Sequence, residues 1–221
     1  MQKWLLTIII AILPVITACS KTDTEVSVPE EETGKKLYMV DSRSASIGTA
    51  LLIREAVKLR DAGVNVADIA AACTEMSKYI KLTAVVGSLK YLKMGGRLSG
   101  AAAFAGTMLH ITPVVSIEDG KVVVIGKTRG KKAAEKLMHD KLIKDGLSLT
   151  RDFMFGHINC SESLETFINK SLTYISDVNG NVCVSSIGCS VGTHVGPGTY
   201  GIAYVEAAES GMNRESIVKT A

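Results

Sequence analysis

The stretch Pro113-Val114-Val115-Ser116-Ile117-Glu118-Asp119-Gly120-Lys121-Val122-Val123-Val124-Ile125-Gly126 decides the fold class. Two β-branched runs flank Asp119-Gly120, a dipeptide that tolerates positive φ at both central positions of a tight turn, so the segment predicts a β-hairpin. Beyond it lies an amphipathic helix over 130–144, with Ala133, Ala134, Leu137, Leu142 and Ile143 on its apolar side. A strand follows over 151–158, then a helix capped by Ser161, a turn at Asn179-Gly180, and strands over 182–187 and 199–206. Hairpin, helix, strand, helix and two strands predict an α+β lobe, with helices on one face of a mainly antiparallel sheet.

Upstream, a strand over 37–40 ends at Asp41-Ser42. Ser46 is placed to cap a helix that Gly63 ends, and Asn65 to cap a second helix through about Ile80. A strand over 82–86 and a short helix carrying Leu89 and Leu92 complete the segment. Strand, helix, helix and strand predict a partial parallel α/β layer. The Ala-rich segment 101–110 reads as a further helix and 188–198 as a loop. The expected organisation is therefore α/β and α+β. It comprises an apolar leader (1–19), an acidic tether (20–36), a partial first lobe (37–98), a second lobe (99–208) and a polar tail (209–221).

The chain has 221 residues, of which 47% are hydrophobic and 21% charged, a balance that excludes a disordered chain. A formal net charge of +3 is too weak to argue for nucleic acid. Cys73, Cys160, Cys183 and Cys189 form no C-x-x-C pair, so neither a zinc site nor a redox motif is indicated. No Walker loop or dinucleotide fingerprint is present, and no metal or cofactor is expected.

The apolar run from Trp4 to Ala18 follows a charged start and precedes Cys19, the layout of a secretory signal. Ile16-Thr17-Ala18-Cys19 resembles the bacterial lipobox, which implies lipidation of Cys19 and attachment to the cell membrane; an acylated terminus with two chains is enough for stable anchoring. Residues 20–36 have almost no apolar side chains to bury and read as a tether.

Three segments could carry chemistry. Gly188-Cys189-Ser190-Val191-Gly192-Thr193-His194-Val195-Gly196-Pro197-Gly198 combines a His and a Thr with glycines that let a ligand approach the backbone. His194, the Thr193 hydroxyl and amides at Gly196 and Gly198 suit an anionic headgroup. Leu92-Lys93-Met94-Gly95-Gly96-Arg97 can place the Arg97 guanidinium at a helix end. Lys127-Thr128-Arg129-Gly130-Lys131-Lys132 concentrates positive charge. Cys189 with His194 as base would be a nucleophilic pair, but no orienting acid is evident.

Together the segments resemble the DegV family, fatty-acid-binding proteins that serve a fatty-acid kinase. The likeness runs from Val40-Asp41-Ser42, with Ser46 and Gly48, through Gly95-Gly96-Arg97, Pro113-Val114-Val115, Asp119-Gly120 and Thr128-Arg129-Gly130, to Thr193-His194-Val195-Gly196-Pro197-Gly198. It implies two lobes with an acyl chain between them, a long-chain fatty-acid carboxylate near His194, and Arg97 and Arg129 near the headgroup or the kinase. It also implies a lipid-binding protein that is not an enzyme and is cytoplasmic, against the exported location the leader suggests. Relative to the family pattern, roughly the first third, with hydroxyls that help to hold the carboxylate, is not seen here. A truncated module that binds nothing is the competing expectation.

Overall fold

The computed structural model describes residues 9–11, 37–97, 111–148, 150–173 and 180–207. Cys19, the tether, the expected helix over 101–110 and the polar tail lie outside the described residues. In chain order the elements are β1 (Ile9–Ala11), β2 (Met39–Asp41), α1 (Ile47–Asp61), α2 (Val66–Met76), β3 (Ile80–Val85), α3 (Leu89–Met94) and β4 (Ile111–Glu118). They continue with β5 (Lys121–Arg129), α4 (Lys131–Asp145), β6 (Phe153–His157), α5 (Ser161–Leu172), β7 (Val182–Ser186), α6 (Cys189–Val195) and β8 (Tyr200–Val205).

Six strands form one sheet in the order β5-β4-β3-β8-β6-β7. Every pairing in it is antiparallel except β6 with β7. The hairpin forms as its sequence requires. Asp119 and Gly120 take φ 48° and 73°, and Ile117 faces Val122 across the ladder. Farther along, the register slips between Val114 and Val115: Val114 pairs with Gly126 but Val115 with Val124, leaving Ile125 as the extra residue of a β-bulge.

Two expectations are corrected here. First, β3 does not pair with β2 in a parallel layer. It lies between β4 and β8, antiparallel to both, while β2 pairs in parallel with β1. Second, helices cover both faces of the sheet. β8 is buried at all six positions, and alternate residues point to opposite faces. Tyr200, Ile202 and Tyr204 share one core with Phe153, Phe155, and Ala134, Met138, Leu164 and Phe167 of α4 and α5. Ala203 joins the opposite core with Leu82, Ala84, Val115, Ile47 and Leu51 of α1, and Leu89 and Leu92 of α3. A third cluster joins β2, α1 and α2 through Val40, Leu52, Leu59, Ile69, Cys73 and Met76. There, burial first, then the charge of Glu55, pushes the Cys73 thiol up to about 12, which makes it inert.

Helix ends differ in detail. The Asn65 side chain caps α2 by accepting from the Asp68 N–H at 3.1 Å, but α2 stops at Met76 and the chain turns into β3 at Ile80. Ser46 makes no side-chain cap and takes φ 51°, and the cap position of α5 is Cys160 rather than Ser161. The expected loop over 188–198 contains α6, a helix of seven residues.

A charged cluster fixes α1 against the start of β6. The Arg151 guanidinium donates to Glu55 Oε1 at 2.5 Å, and both side chains are almost fully buried. Asp152 accepts from Lys58 Nζ at 2.6 Å, Arg54 Nε at 3.1 Å and the Asn181 amide at 3.2 Å. Burial pushes the Asp152 carboxyl up. The hydrogen bonds from Lys58 and Asn181 outweigh that and hold it down at about 2. An unfolded Asp titrates near 3.9, so the stability this residue contributes is fully present above about pH 5 and is lost as pH falls through 4 toward 2. Urea unfolding across that range should show an acid-side loss of about 2 kcal/mol that Asp152→Asn flattens. Equal acid slopes for the two proteins would contradict this assignment.

Candidate functional site

The α3 end explains why two glycines precede Arg97. The Arg97 N–H bonds the Leu92 carbonyl at 2.9 Å and the Gly96 N–H bonds the Lys93 carbonyl at 3.2 Å. This 6→1 and 5→2 pair is a Schellman motif, which requires a left-handed residue at Gly96, and φ there is 68°. Arg97 is thereby placed just beyond the helix, and its guanidinium donates to the Gly95 carbonyl at 2.5 Å.

α6 packs against α3 at contact so close that side chains are excluded. A methyl group at Gly95 would overlap the His194 ring, and one at Gly196 would overlap the Tyr91 ring. Two motifs almost a hundred residues apart thus meet, and Arg97 and His194 stand at one groove. Burial lowers the His194 pKa, and the Arg97 charge lowers it further, so the imidazole is neutral at pH 7. Neither ring nitrogen has a hydrogen-bond partner among the described residues.

The groove has about 660 Å³ of space, its mouth included. Its floor is the sheet: Leu82, Ala84 and Val86 from β3 and the residue after it, Val115 and Ile117 from β4, Val122 from β5, and Thr199 and Gly201 at β8. Around it stand Ala45, Ser46 and Ile47 at the start of α1, Leu92 and Arg97 from α3 and its end, and Ile187, Val191, His194 and Val195 from α6 and the residues before it. Gly201 has no room for a side chain, because a Cβ would meet the Thr83 carbonyl.

Other candidate residues have different places. Thr193 is exposed, does not line the groove, and donates its hydroxyl to the Ser190 carbonyl at 3.0 Å. The amides expected to serve as anion donors are already used: Gly196 N–H bonds the Gly192 carbonyl at 2.8 Å and Gly198 N–H the Ile158 carbonyl at 2.9 Å. These glycines instead end α6 and turn the chain, with φ 79° and 78°. Arg129 ends β5, is exposed and does not line the groove. Cys189 and His194 share α6, where five residues separate their directions by roughly 140°.

Sequence reasoning missed Ser46 as a groove residue. It borders the groove at the start of α1, and its side chain makes no cap bond to the helix. The available signals were its place in the DegV likeness and the serine-rich turn Ser42-Arg43-Ser44-Ala45-Ser46 before a helix, which also describes an ordinary cap.

With this geometry, comparison with known proteins is direct. Residues 12–207 match the family model described as "Uncharacterised protein, DegV family". A DegV domain-containing protein of Clostridium acetobutylicum is 34% identical over 186 residues, covering 80% of this chain and 61% of its own. The chain belongs to the DegV family. Among solved structures, a DegV lipid-binding protein of Thermotoga maritima superposes with a TM-score of 0.70 at 26% identity, over 80% of this chain and 62% of that one. A DegV family protein of Thermus thermophilus, described for fatty acid binding, gives 0.68 at 27% identity, over 79% and 63%. The chain spans about three-fifths of the length of these relatives.

The charge relation within the groove can be tested directly. Arg97→Met removes the cation that disfavours the imidazolium, so the His194 pKa should rise toward the ordinary 6.5 without reaching it, since burial persists. An NMR titration of the imidazole CH signals reads the shift. A pKa that stays put or falls would refute the pairing of these two side chains.

Proposed function

We propose that this chain binds a long-chain fatty acid, with the acyl chain in the groove and the carboxylate at the end where His194 and Arg97 stand. The observation that carries the reading is the composition of the groove. Its lining surface is apolar, and the polar residues that border it include Arg97 and His194, whose imidazole has no hydrogen-bond partner among the described residues. A ligand matching this lining is a long hydrocarbon with one anionic end. Arg97 supplies a charge-assisted bond and His194 a neutral one. The fatty-acid binding described for the Thermus thermophilus relative supports the same reading. In it, the chain is a carrier and not a catalyst, and it presents the carboxylate to a fatty-acid kinase, with the exposed Thr193 and Arg129 toward that partner.

Native mass spectrometry of the full chain should show one fatty acid per molecule. His194→Ala should weaken retention about three- to tenfold, the range for a neutral hydrogen bond, and Arg97→Met about ten- to a hundredfold. A wild-type chain that emerges without lipid and takes up none from added oleate would favour the competing reading of a module that binds nothing.

The N-terminal run supports two readings. Its layout favours a lipidated leader that anchors the chain through Cys19 to the membrane. The pairing of β1 with β2 favours a run that contributes a strand beside β2. Metabolic palmitate labelling distinguishes them: label lost in Cys19→Ala, with release from the membrane fraction, supports the anchor, and no label in wild type supports the strand.

A further inference from the structure

The groove has two chemically different ends. Arg97, His194 and Thr199 stand beside Val86 and the Tyr200 end of β8. The opposite end is formed by Leu82 with Ile117 and Val122, which face each other one residue pair before the hairpin turn. Leu82 and Val86 are four residues apart on one strand, so the ends are separated by about 13 Å along it.

Beyond Ile117 the surroundings change. That residue also borders a second depression, whose lining includes Arg43, Lys78, Lys81, Asp119, Lys141 and Asp145. In this second hollow, Arg43 forms an ion pair with Asp119 at the hairpin turn. Arg43 lies in the segment 42–46, whose Ala45 and Ser46 form a wall of the groove. The ion pair therefore ties the groove's wall to the hairpin that closes its apolar end.

This wall is not held by its own backbone preference. Arg43 and Ser46 take φ 49° and 51°, and the Ser44 hydroxyl is buried with no hydrogen-bond partner among the described residues. Such a segment keeps its shape through contacts: the Ser42 hydroxyl, which lies 3.2 Å from that of Thr49, donates to the Ser44 carbonyl at 3.0 Å, and the salt bridge joins the segment to the hairpin.

We propose that the Arg43–Asp119 pair is a clasp that sets the acyl chain length the groove accepts. The proposal rests on the fatty-acid reading above and concerns the end of the groove remote from the carboxylate. Inside the groove each added methylene tightens binding roughly fourfold. A chain longer than the apolar segment must part the clasp and enter a charged hollow, where further methylenes gain nothing. Affinity should then rise with length and break at a definite chain. Because Asp119 is 86% exposed and Arg43 41%, the pair is weak, and the break should be soft.

The test uses the full chain and a series of saturated fatty acids, each longer than the last by two methylenes, in competition binding. Asp119→Asn keeps a residue that tolerates positive φ while removing the charge. Arg43→Met removes it from the other side, and Arg43→Lys keeps it. The break should move to longer chains in Asp119→Asn and Arg43→Met, with the first acid past the wild-type break binding about two- to fivefold tighter than to wild type, and should stay in place in Arg43→Lys. A break at the same length in all four proteins overturns the clasp and leaves the fatty-acid reading standing. No binding of any member of the series by wild type overturns both. Matching thermal transitions in the variants would show that the hairpin is intact.

Discussion

Burial of β8 on both faces is the constraint from which the rest of the architecture follows. A strand with tyrosines and isoleucine on one side and small residues on the other cannot leave either face to water. One face takes α4 and α5 and becomes a dense aromatic core, where the Phe167 ring lies 5.9 Å from that of Phe155 and 5.8 Å from that of Tyr200, between centres. The other face offers Gly201 and Ala203, which cannot fill the space above the sheet. α1 and α3 cover that side only in part, and what remains between them is the groove. Binding space is thus a product of the same strand that builds the core, with bulky residues on one face and small ones on the other.

The polar end of the groove depends on a second constraint, the close approach of α3 and α6. Two helices of six and seven residues are too short to be stable alone. They persist because glycines at Gly95 and Gly196 let a histidine and a tyrosine ring lie against backbone. That contact holds an imidazole beside a guanidinium, an arrangement that is unfavourable for a protonated histidine and favourable for an anion between them. The glycines read as ligand-facing donors are structural, and the side chains they make room for are the ones that reach the groove.

Much of this was legible in the sequence where local chemistry decides. Asp119-Gly120 specified the hairpin, Asn65 the cap, and paired glycines before Arg97 the helix end. The DegV resemblance identified the family and pointed to His194 and Arg97, which the fold brings to one groove. What was illegible depended on tertiary context. α6 offers only Val191 and Val195 at helical spacing within a glycine-rich run, and it is held by packing against α3. β3 looks like the end of an α/β unit by order along the chain, and its place between β4 and β8 is set by long-range pairing. Ser46 has the sequence signature of a cap, and a positive φ that no local rule foretells turns it into the groove wall.

The bulge in β5 has an effect on charge. Before it, Val122 and Val124 share the groove side of the sheet with Ile117 and Val115; at it, Ile125 packs against the α4 core and Gly126 lies under Leu137. The single additional residue reverses the pleat, so every later position of the strand changes sides. Lys127 and Arg129, paired with Pro113 and Ile111, consequently occupy the groove face. In an unbulged strand the same two cations would point into the layer beneath α4. The bulge thereby decides which side of the molecule carries this positive charge: by absorbing Ile125 it keeps Lys127 and Arg129 in register with Pro113 and Ile111.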